Sequence, residues 1–97
     1  LITLGAVGVI SVIGNALPAE FSRMVRLALK GEYNTSLSIH HKFTELFKLL
    51  FVDGNPAGVK AMLSEMGLIQ NILRLPLIPT RLTTMEKISQ IVRELGY

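Results

Sequence analysis

A chain of 97 residues makes one small domain at most, and a chain of this size buries only about 60–65% of the surface that it exposes when unfolded. Its residues are 49% hydrophobic and 18% charged, with a mean hydropathy of +0.47, so we expect some apolar surface to lack cover within the chain. The net charge of +3 is scattered along the sequence, which excludes the clustered basic stripe of a nucleic-acid interface. The absence of cysteine excludes disulfides and thiolate zinc sites.

The first nineteen residues carry no charge, so a signal peptide or a membrane span has to be considered. Three glycines, an asparagine and Pro18 interrupt this apolar stretch, and no basic residue precedes it. A secretory signal needs a positively charged leader. We therefore predict that the chain does not bind a membrane.

Residues 7–12 (VGVISV) predict a short β-strand that is buried on both faces. The run is rich in β-branched residues and lies between Gly5 and the pair Gly14-Asn15, as in the parallel strands of a barrel. No other segment has this pattern, and a single strand cannot pair its own backbone N–H and C=O groups. The sequence therefore predicts that the neighbouring strands lie outside these residues.

The rest of the chain predicts four helices. Pro18 suits a first helical position and Gly31 a helix end, while Asn55 with Pro56 marks the start of the third helix and Gly67 its end. The predicted ranges are 18–30, 33–51 and 84–95, and the third helix has Asn55 as its cap, Pro56 as its first residue and Gly67 at its end. Residues 83–86 (TTME) form a capping box at the start of the last helix. Residues 68–82 contain Pro76 and Pro79, which predict one helical turn followed by an extended crossing segment.

Three ordered segments resemble the dihydrodipicolinate synthase and N-acetylneuraminate lyase family. Residues 4–12 (LGAVGVISV) with Asn15 resemble the eighth barrel strand of that family. Residues 51–56 (FVDGNP) with Lys60, and residues 73–79 (LRLPLIP), resemble two motifs of its synthase branch. The three motifs are spread over residues 4–79 in the family's order, and they favour the synthase branch over the sialic-acid lyase branch.

The resemblance implies a mainly α chain with one buried strand, which forms the carboxy-terminal part of a (β/α)8 barrel. Residues 1–31 would be the last βα unit of the barrel, and residues 32–97 a helical domain appended to it. The family's synthases are cytoplasmic homotetramers that act in lysine and diaminopimelate biosynthesis. They condense pyruvate with L-aspartate 4-semialdehyde to 4-hydroxy-tetrahydrodipicolinate through an imine on a lysine of the sixth strand.

The resemblance implies no catalytic residue in this chain, because the imine lysine and its proton relay lie upstream in the family. It does imply that the main chain at Ile10 lies close to the pyruvate pocket. From the residues alone, a β-branched residue such as Ile10 in a barrel strand most often fills a packing layer. We also predict that Ser11 and Asn15 make local hydrogen bonds in the turn.

The other reactive side chains predict no site of their own. A Schiff-base lysine must be desolvated, whereas the five lysines fall on helices or helix ends: Lys30, Lys42, Lys48, Lys60 and Lys87. His40 and His41 are adjacent and point about 100° apart on a helix, so they cannot share one metal ion. We expect no metal and no cofactor.

Two alternatives remain open. One is another pyruvate-dependent lyase of the same superfamily, similar to N-acetylneuraminate lyase. The other is a non-enzymatic helical interaction module whose apolar first twelve residues dock on a partner or a membrane. Residues 1–12 discriminate between an enzyme and a module, because they would insert between strands in the enzyme and would be helical or exposed in the module.

Overall fold

The computed structural model describes all residues from Leu1 to Tyr97. It contains a 3₁₀ turn at Ile2–Leu4 and six α-helices: α1 (Ile13–Ala16), α2 (Pro18–Leu29), α3 (Tyr33–Lys42), α4 (Thr44–Val52), α5 (Ala57–Glu65) and α6 (Leu82–Glu94). The chain divides into two compact units, residues 1–44 and 45–97. A mainly α chain is thus confirmed, while the functional division at residue 31 stays a prediction.

The predicted buried strand at residues 7–12 is wrong. Residues 6–11 are neither helix nor strand, and the side chains of Val7 and Ile10 are 89% and 105% exposed. A β-strand requires a neighbour to accept and donate its backbone hydrogen bonds, and this chain supplies no second strand. The segment is therefore a non-helical arm, which we call the arm (residues 6–12).

The first unit is built on helices α2 and α3. Pro18 is the first residue of α2, as predicted, because its fixed φ suits a position whose N–H needs no helical partner. The helix ends just before Gly31, whose φ of +83° reverses the chain at little steric cost. Ser36 of α3 is buried, and its hydroxyl donates a 2.8 Å hydrogen bond to the carbonyl of Met24 on α2. This bond ties the two helices together.

The single helix predicted over residues 33–51 is wrong, because it is divided into α3 and α4. Phe43 stands between them with φ −107° and ψ 5°, outside the α-helical region, and its ring is buried. The hydroxyl of Thr44 donates to the carbonyl of His40 across the break. The periodicity of the apolar residues continues through this point, so the sequence pattern alone does not indicate the break.

In the second unit, helices α4 and α5 approach each other at Gly58. A Cβ placed on Gly58 would overlap the backbone of Leu50 and lie 2.7 Å from its Cα. Leu46, Leu50 and Met62 are fully buried in the second unit, and Ile88 of α6 is as well. The predicted start of the third helix is wrong by one residue, since Pro56 occupies the N-cap position, α5 begins at Ala57 and no side chain caps it.

The crossing segment, residues 66–81, joins α5 to α6. It contains a turn closed by the N–H of Leu77 and the carbonyl of Arg74 at 3.0 Å, but not the helical turn that the sequence predicted. Lys60 of α5 holds its first half, with Nζ 2.6 Å from the carbonyl oxygen of Ile72. Its aliphatic side chains are exposed at Leu68, Ile69, Ile72, Leu75, Leu77 and Ile78.

Helix α6 begins without the predicted capping box. It starts at Leu82, its N-cap position is Arg81, and no side chain of residues 83–86 caps it. Instead, the carboxylate of Asp53 accepts a 2.9 Å hydrogen bond from the backbone N–H of Arg81. An acidic group at a helix N-terminus also interacts favourably with the helix dipole, so Asp53 replaces the local cap.

Candidate functional site

The arm is the part of the chain on which the site prediction rests. No backbone N–H or C=O from Val7 to Ser11 makes a hydrogen bond. Ile10 lies within this stretch, and its side chain is exposed to solvent. The backbone N–H and C=O groups of Ile10 are therefore unpaired in this structure. The contact of Ile10 with pyruvate remains a prediction.

The polar residues that follow the arm form a turn. The backbone N–H of Asn15 donates to the carbonyl of Val12 at 3.1 Å, and its side-chain Nδ2 approaches the same oxygen at 3.3 Å. The local role predicted for Asn15 is confirmed. Ser11 makes no such bond and stands at the end of the unpaired stretch.

The five lysines lie on helices or at helix ends. Lys42 places Nζ 5.7 Å from the centre of the Phe43 ring, a distance at which a cation is attracted to an aromatic face. The ammonium group of Lys60 donates a hydrogen bond to the carbonyl of Ile72. This contact could not be predicted from the sequence. It joins residues twelve positions apart, and the chain between them includes irregular backbone.

His40 and His41 do not converge on a common point. Their ring centroids are 5.9 Å apart and their planes are inclined at 60°. No group of three or more His, Cys, Asp or Glu side chains in the chain is arranged to hold a metal ion.

The first unit contains a groove of about 470 Å³. Residues 1–3 and Val9 form one side of it, and Met24, Val25 and Leu37 of the two helices form the other. The hydroxyl of Ser36 also reaches this groove but is already used in its bond to Met24. Thr3, Tyr33, Asn34 and His40 also line it, so the groove is a largely apolar surface beside the arm with a few polar side chains.

Asp53, in the turn after α4, is an acid whose pKa is lowered in the folded chain. The hydroxyl of Thr84 and then the side chain and N–H of Arg81 donate to it, and they hold the pKa of this carboxyl below its usual value. Arg81 binds it through Nε and through a second nitrogen at 2.8 Å each. These partners are all structural groups at the start of α6, so the perturbed pKa indicates a helix cap and not a catalytic acid.

None of the helices is both long enough and apolar enough to cross a membrane. The exposed arm is compatible with the interaction-module hypothesis, because that hypothesis expects residues 1–12 to be helical or exposed. The geometry of the isolated chain therefore leaves open whether the arm serves an enzyme or a module.

Comparison with known proteins decides the family. The model of the dihydrodipicolinate synthetase family matches residues 1–95, and the chain belongs to this family. A 4-hydroxy-tetrahydrodipicolinate synthase from Phocaeicola vulgatus is 76% identical over 95 residues, which are 98% of this chain and 32% of that protein. A synthase of the same name from Parabacteroides distasonis is 70% identical over 96 residues, covering 99% of this chain and 32% of the relative.

Solved structures agree with this assignment. The crystal structure of dihydrodipicolinate synthase from Thermotoga maritima matches with a TM-score of 0.92 at 39% identity, over 98% of this chain and 32% of that one. The synthase from Aquifex aeolicus matches with a TM-score of 0.89 at 34% identity, over 96% and 32% of the two chains. The chain thus spans about a third of the length of the relatives that it matches.

Proposed function

We propose that this chain is the carboxy-terminal third of a 4-hydroxy-tetrahydrodipicolinate synthase, a lyase of lysine and diaminopimelate biosynthesis. The complete enzyme condenses pyruvate with L-aspartate 4-semialdehyde. The observation that carries the proposal is the 76% identity to the Phocaeicola vulgatus synthase, maintained over 98% of this chain. The second candidate function is that of another pyruvate-dependent lyase, similar to N-acetylneuraminate lyase. Only the superfamily resemblance supports it.

In this proposal the arm is the eighth strand of a (β/α)8 barrel, and α2 is the helix that follows it. Active sites of such barrels lie at the carboxyl ends of the strands, which is the end of the arm where Ile10 and Ser11 lie and after which Asn15 follows. The main chain at Ile10 would border the pyruvate pocket. The imine lysine and its proton relay would come from the part of the enzyme that this chain does not match.

The second unit has a supporting role in this proposal. Its buried core and its crossing segment contribute no group to the chemistry, and the exposed aliphatic side chains of that segment would be covered in the complete enzyme. The family resemblance further supports a cytoplasmic homotetramer. The molar mass of the complete enzyme in solution, measured by light scattering, tests the tetramer.

The proposed function can be tested by assaying the activity of a fusion protein. The part of the Phocaeicola vulgatus synthase that this chain does not match would be fused to residues 1–97 in the order of the natural enzyme. We expect the fusion to consume pyruvate only when L-aspartate 4-semialdehyde is present, and to lack cleavage of N-acetylneuraminate. A folded fusion without the condensation activity contradicts the proposal.

The proposed role of Ile10 can be tested in the same fusion. A main-chain contact does not depend on the side chain, so Ile10→Val should leave the KM for pyruvate unchanged. Ile10→Pro, which removes the N–H and fixes φ, should raise that KM or abolish activity. A raised KM in Ile10→Val would show that the side chain itself, and not the main chain, is the substrate contact.

A further inference from the structure

The crossing segment is attached to the rest of the second unit by side chains at two points. Near its start, Nζ of Lys60 donates to the carbonyl of Ile72 at 2.6 Å. At its end, the carboxylate of Asp53 accepts from the backbone N–H of Arg81 at 2.9 Å and from its guanidinium at 2.8 Å. Between these two attachments, no backbone–backbone hydrogen bond joins residues 73–80 to the rest of the chain.

The two attachments depend on each other because the backbone between them has little other support. Its internal bond is the turn from the N–H of Leu77 to the carbonyl of Arg74 at 3.0 Å. Holding irregular backbone in one conformation costs conformational entropy at every residue. When one attachment is broken, a single remaining attachment has to offset that entropy. We therefore expect the segment to open as one piece.

Each attachment lies next to a buried polar atom that has no hydrogen-bond partner. These atoms are Oδ1 of Asn71, which precedes Ile72, and Oγ1 of Thr80, which precedes Arg81. Residues of this chain already cover both oxygens, so a further segment or subunit does not reach them in this conformation. An unpaired buried polar group is unfavourable, and water pairs it when it becomes exposed. The closed conformation is therefore opposed at both ends.

We propose that the crossing segment is a two-state element, closed in this structure and open in a minor state in which both attachments are released together and Asn71 and Thr80 are hydrated. The attachments favour the closed state, and the two unpaired oxygens favour the open state. The element is independent of the reaction that the complete enzyme performs. Its aliphatic side chains have a fixed arrangement only in the closed state, so a surface that packs on them shifts the segment towards closing.

Hydrogen exchange measured residue by residue by NMR tests the joint opening. The amide of Arg81 is bonded to Asp53, and the amide of Ile72 is bonded to the carbonyl of Gln70 at 2.9 Å, so the two amides report the two ends. Lys60→Met removes the attachment at Ile72. It should speed exchange at the distant Arg81 amide by about tenfold. An unchanged rate at Arg81 would show that the two ends open independently, which overturns the proposal.

The two unpaired oxygens give a second test, because their removal should favour the closed state. Thr80→Val keeps the β-branched shape without the hydroxyl, and Asn71→Leu replaces the amide by an apolar group of similar size. Each variant is measured at the opposite end, Thr80→Val at the Ile72 amide and Asn71→Leu at the Arg81 amide, because a substitution alters the intrinsic exchange of its neighbour. Both rates should fall by about tenfold. An unchanged or faster rate would show that the oxygen does not oppose closing, as when an ordered water pairs it, and the proposal would be wrong.

Thr83→Val is the matched control for Thr80→Val. Thr83 lies in the first turn of α6 and is exposed, so water can pair its hydroxyl in both states. The rate at Ile72 should stay unchanged. A fall as large as that in Thr80→Val would mean that loss of a buried hydroxyl is not the cause, contrary to the proposal.

The amide of Ile88, whose side chain is fully buried in α6, distinguishes local opening from unfolding of the whole unit. It should exchange more slowly than the amides of Ile72 and Arg81, because opening of the crossing segment leaves α6 folded. Equal rates at all three amides would mean that the segment opens only when the unit unfolds. Exchange at the rate of an unprotected amide at both Ile72 and Arg81 would mean that the closed state is not the major one. Either result contradicts the proposal.

Discussion

Asp53 and Arg81 are joined by three contacts between a turn and the start of a helix 28 residues further along the chain. The carboxylate accepts from the backbone N–H of Arg81 at 2.9 Å and from its guanidinium at 2.8 Å, while the Asp53 side chain is only 12% exposed. The Arg81 side chain is 71% exposed, so the ion pair itself is well screened by solvent. The contribution to stability therefore comes mainly from the cap on α6.

We predict that Asp53→Asn lowers the stability of the chain in a pH-dependent way. The pKa of Asp53 is lowered in the folded state, so its stabilising effect is complete above the usual Asp pKa of about 3.9 and is lost as the pH falls through the lowered value. Urea unfolding at several pH values should give a difference between wild type and variant that is constant near neutrality and shrinks in acid. Glu65→Gln, a change at an acid without such partners, is the control and should show no loss at neutral pH.

The second prediction concerns the effect on stability of a substitution at Gly58, where α4 packs against α5. Gly58→Ala should destabilise the chain by about 1–3 kcal/mol, because its Cβ meets the backbone of Leu50 and not a flexible side chain. Gly14→Ala is the matched change, in helix α1. The nearest atom to its Cβ is 3.8 Å away, so it should stabilise by roughly 0.5–1 kcal/mol or be neutral. Chemical unfolding measures both, and equal losses would contradict the close contact at Gly58.

Ser36 and Ser38 differ in what their hydroxyls do, although they lie two residues apart on α3. Ser36 is buried and donates to Met24 on another helix, while Ser38 is exposed and donates to the carbonyl of Asn34 in its own helix. Ser36→Ala should cost about 1–3 kcal/mol, because it leaves the Met24 carbonyl without this donor in a partly buried position. Ser38→Ala should be close to neutral in thermal unfolding. A similar loss in both would show that the bond between the helices is not the cause.

We predict that a substitution of Lys60 increases the mobility of the crossing segment. Lys60→Met removes the bond to the Ile72 carbonyl, so the crossing segment should open more often and trypsin should cleave faster after the exposed Arg74. Lys48→Met removes a lysine that lies on a helix and makes no such bond, and it should leave the cleavage rate unchanged. Cleavage at Arg74 that is the same in both variants would contradict a holding role for Lys60.

Short-range signals made part of the fold predictable from the sequence. Pro18 and Gly31 bound α2 because their φ preferences act within the residue itself. The cap on α6 was not predictable in the same way. Asp53 and Arg81 meet only after the intervening helix and crossing segment have folded, so no local pattern contains that contact.

In the arm, by contrast, the local residue pattern was informative, but the strand predicted from it was wrong. A β-branched run with both faces apolar indicated a strand that needs neighbours on both sides. The neighbours are not in these residues, so the hydrogen bonds that define a strand are missing. The role of Ile10 depends on the same absent strands, which is why the site could be reached only through the family resemblance.

The bond from Lys60 ends on a main-chain oxygen and not on a side chain, and this affects how the crossing segment can change during evolution. Any residue at position 72 offers the same oxygen, so substitutions there leave the attachment intact. The aliphatic side chains along the segment can therefore be exchanged for one another without loss of this attachment.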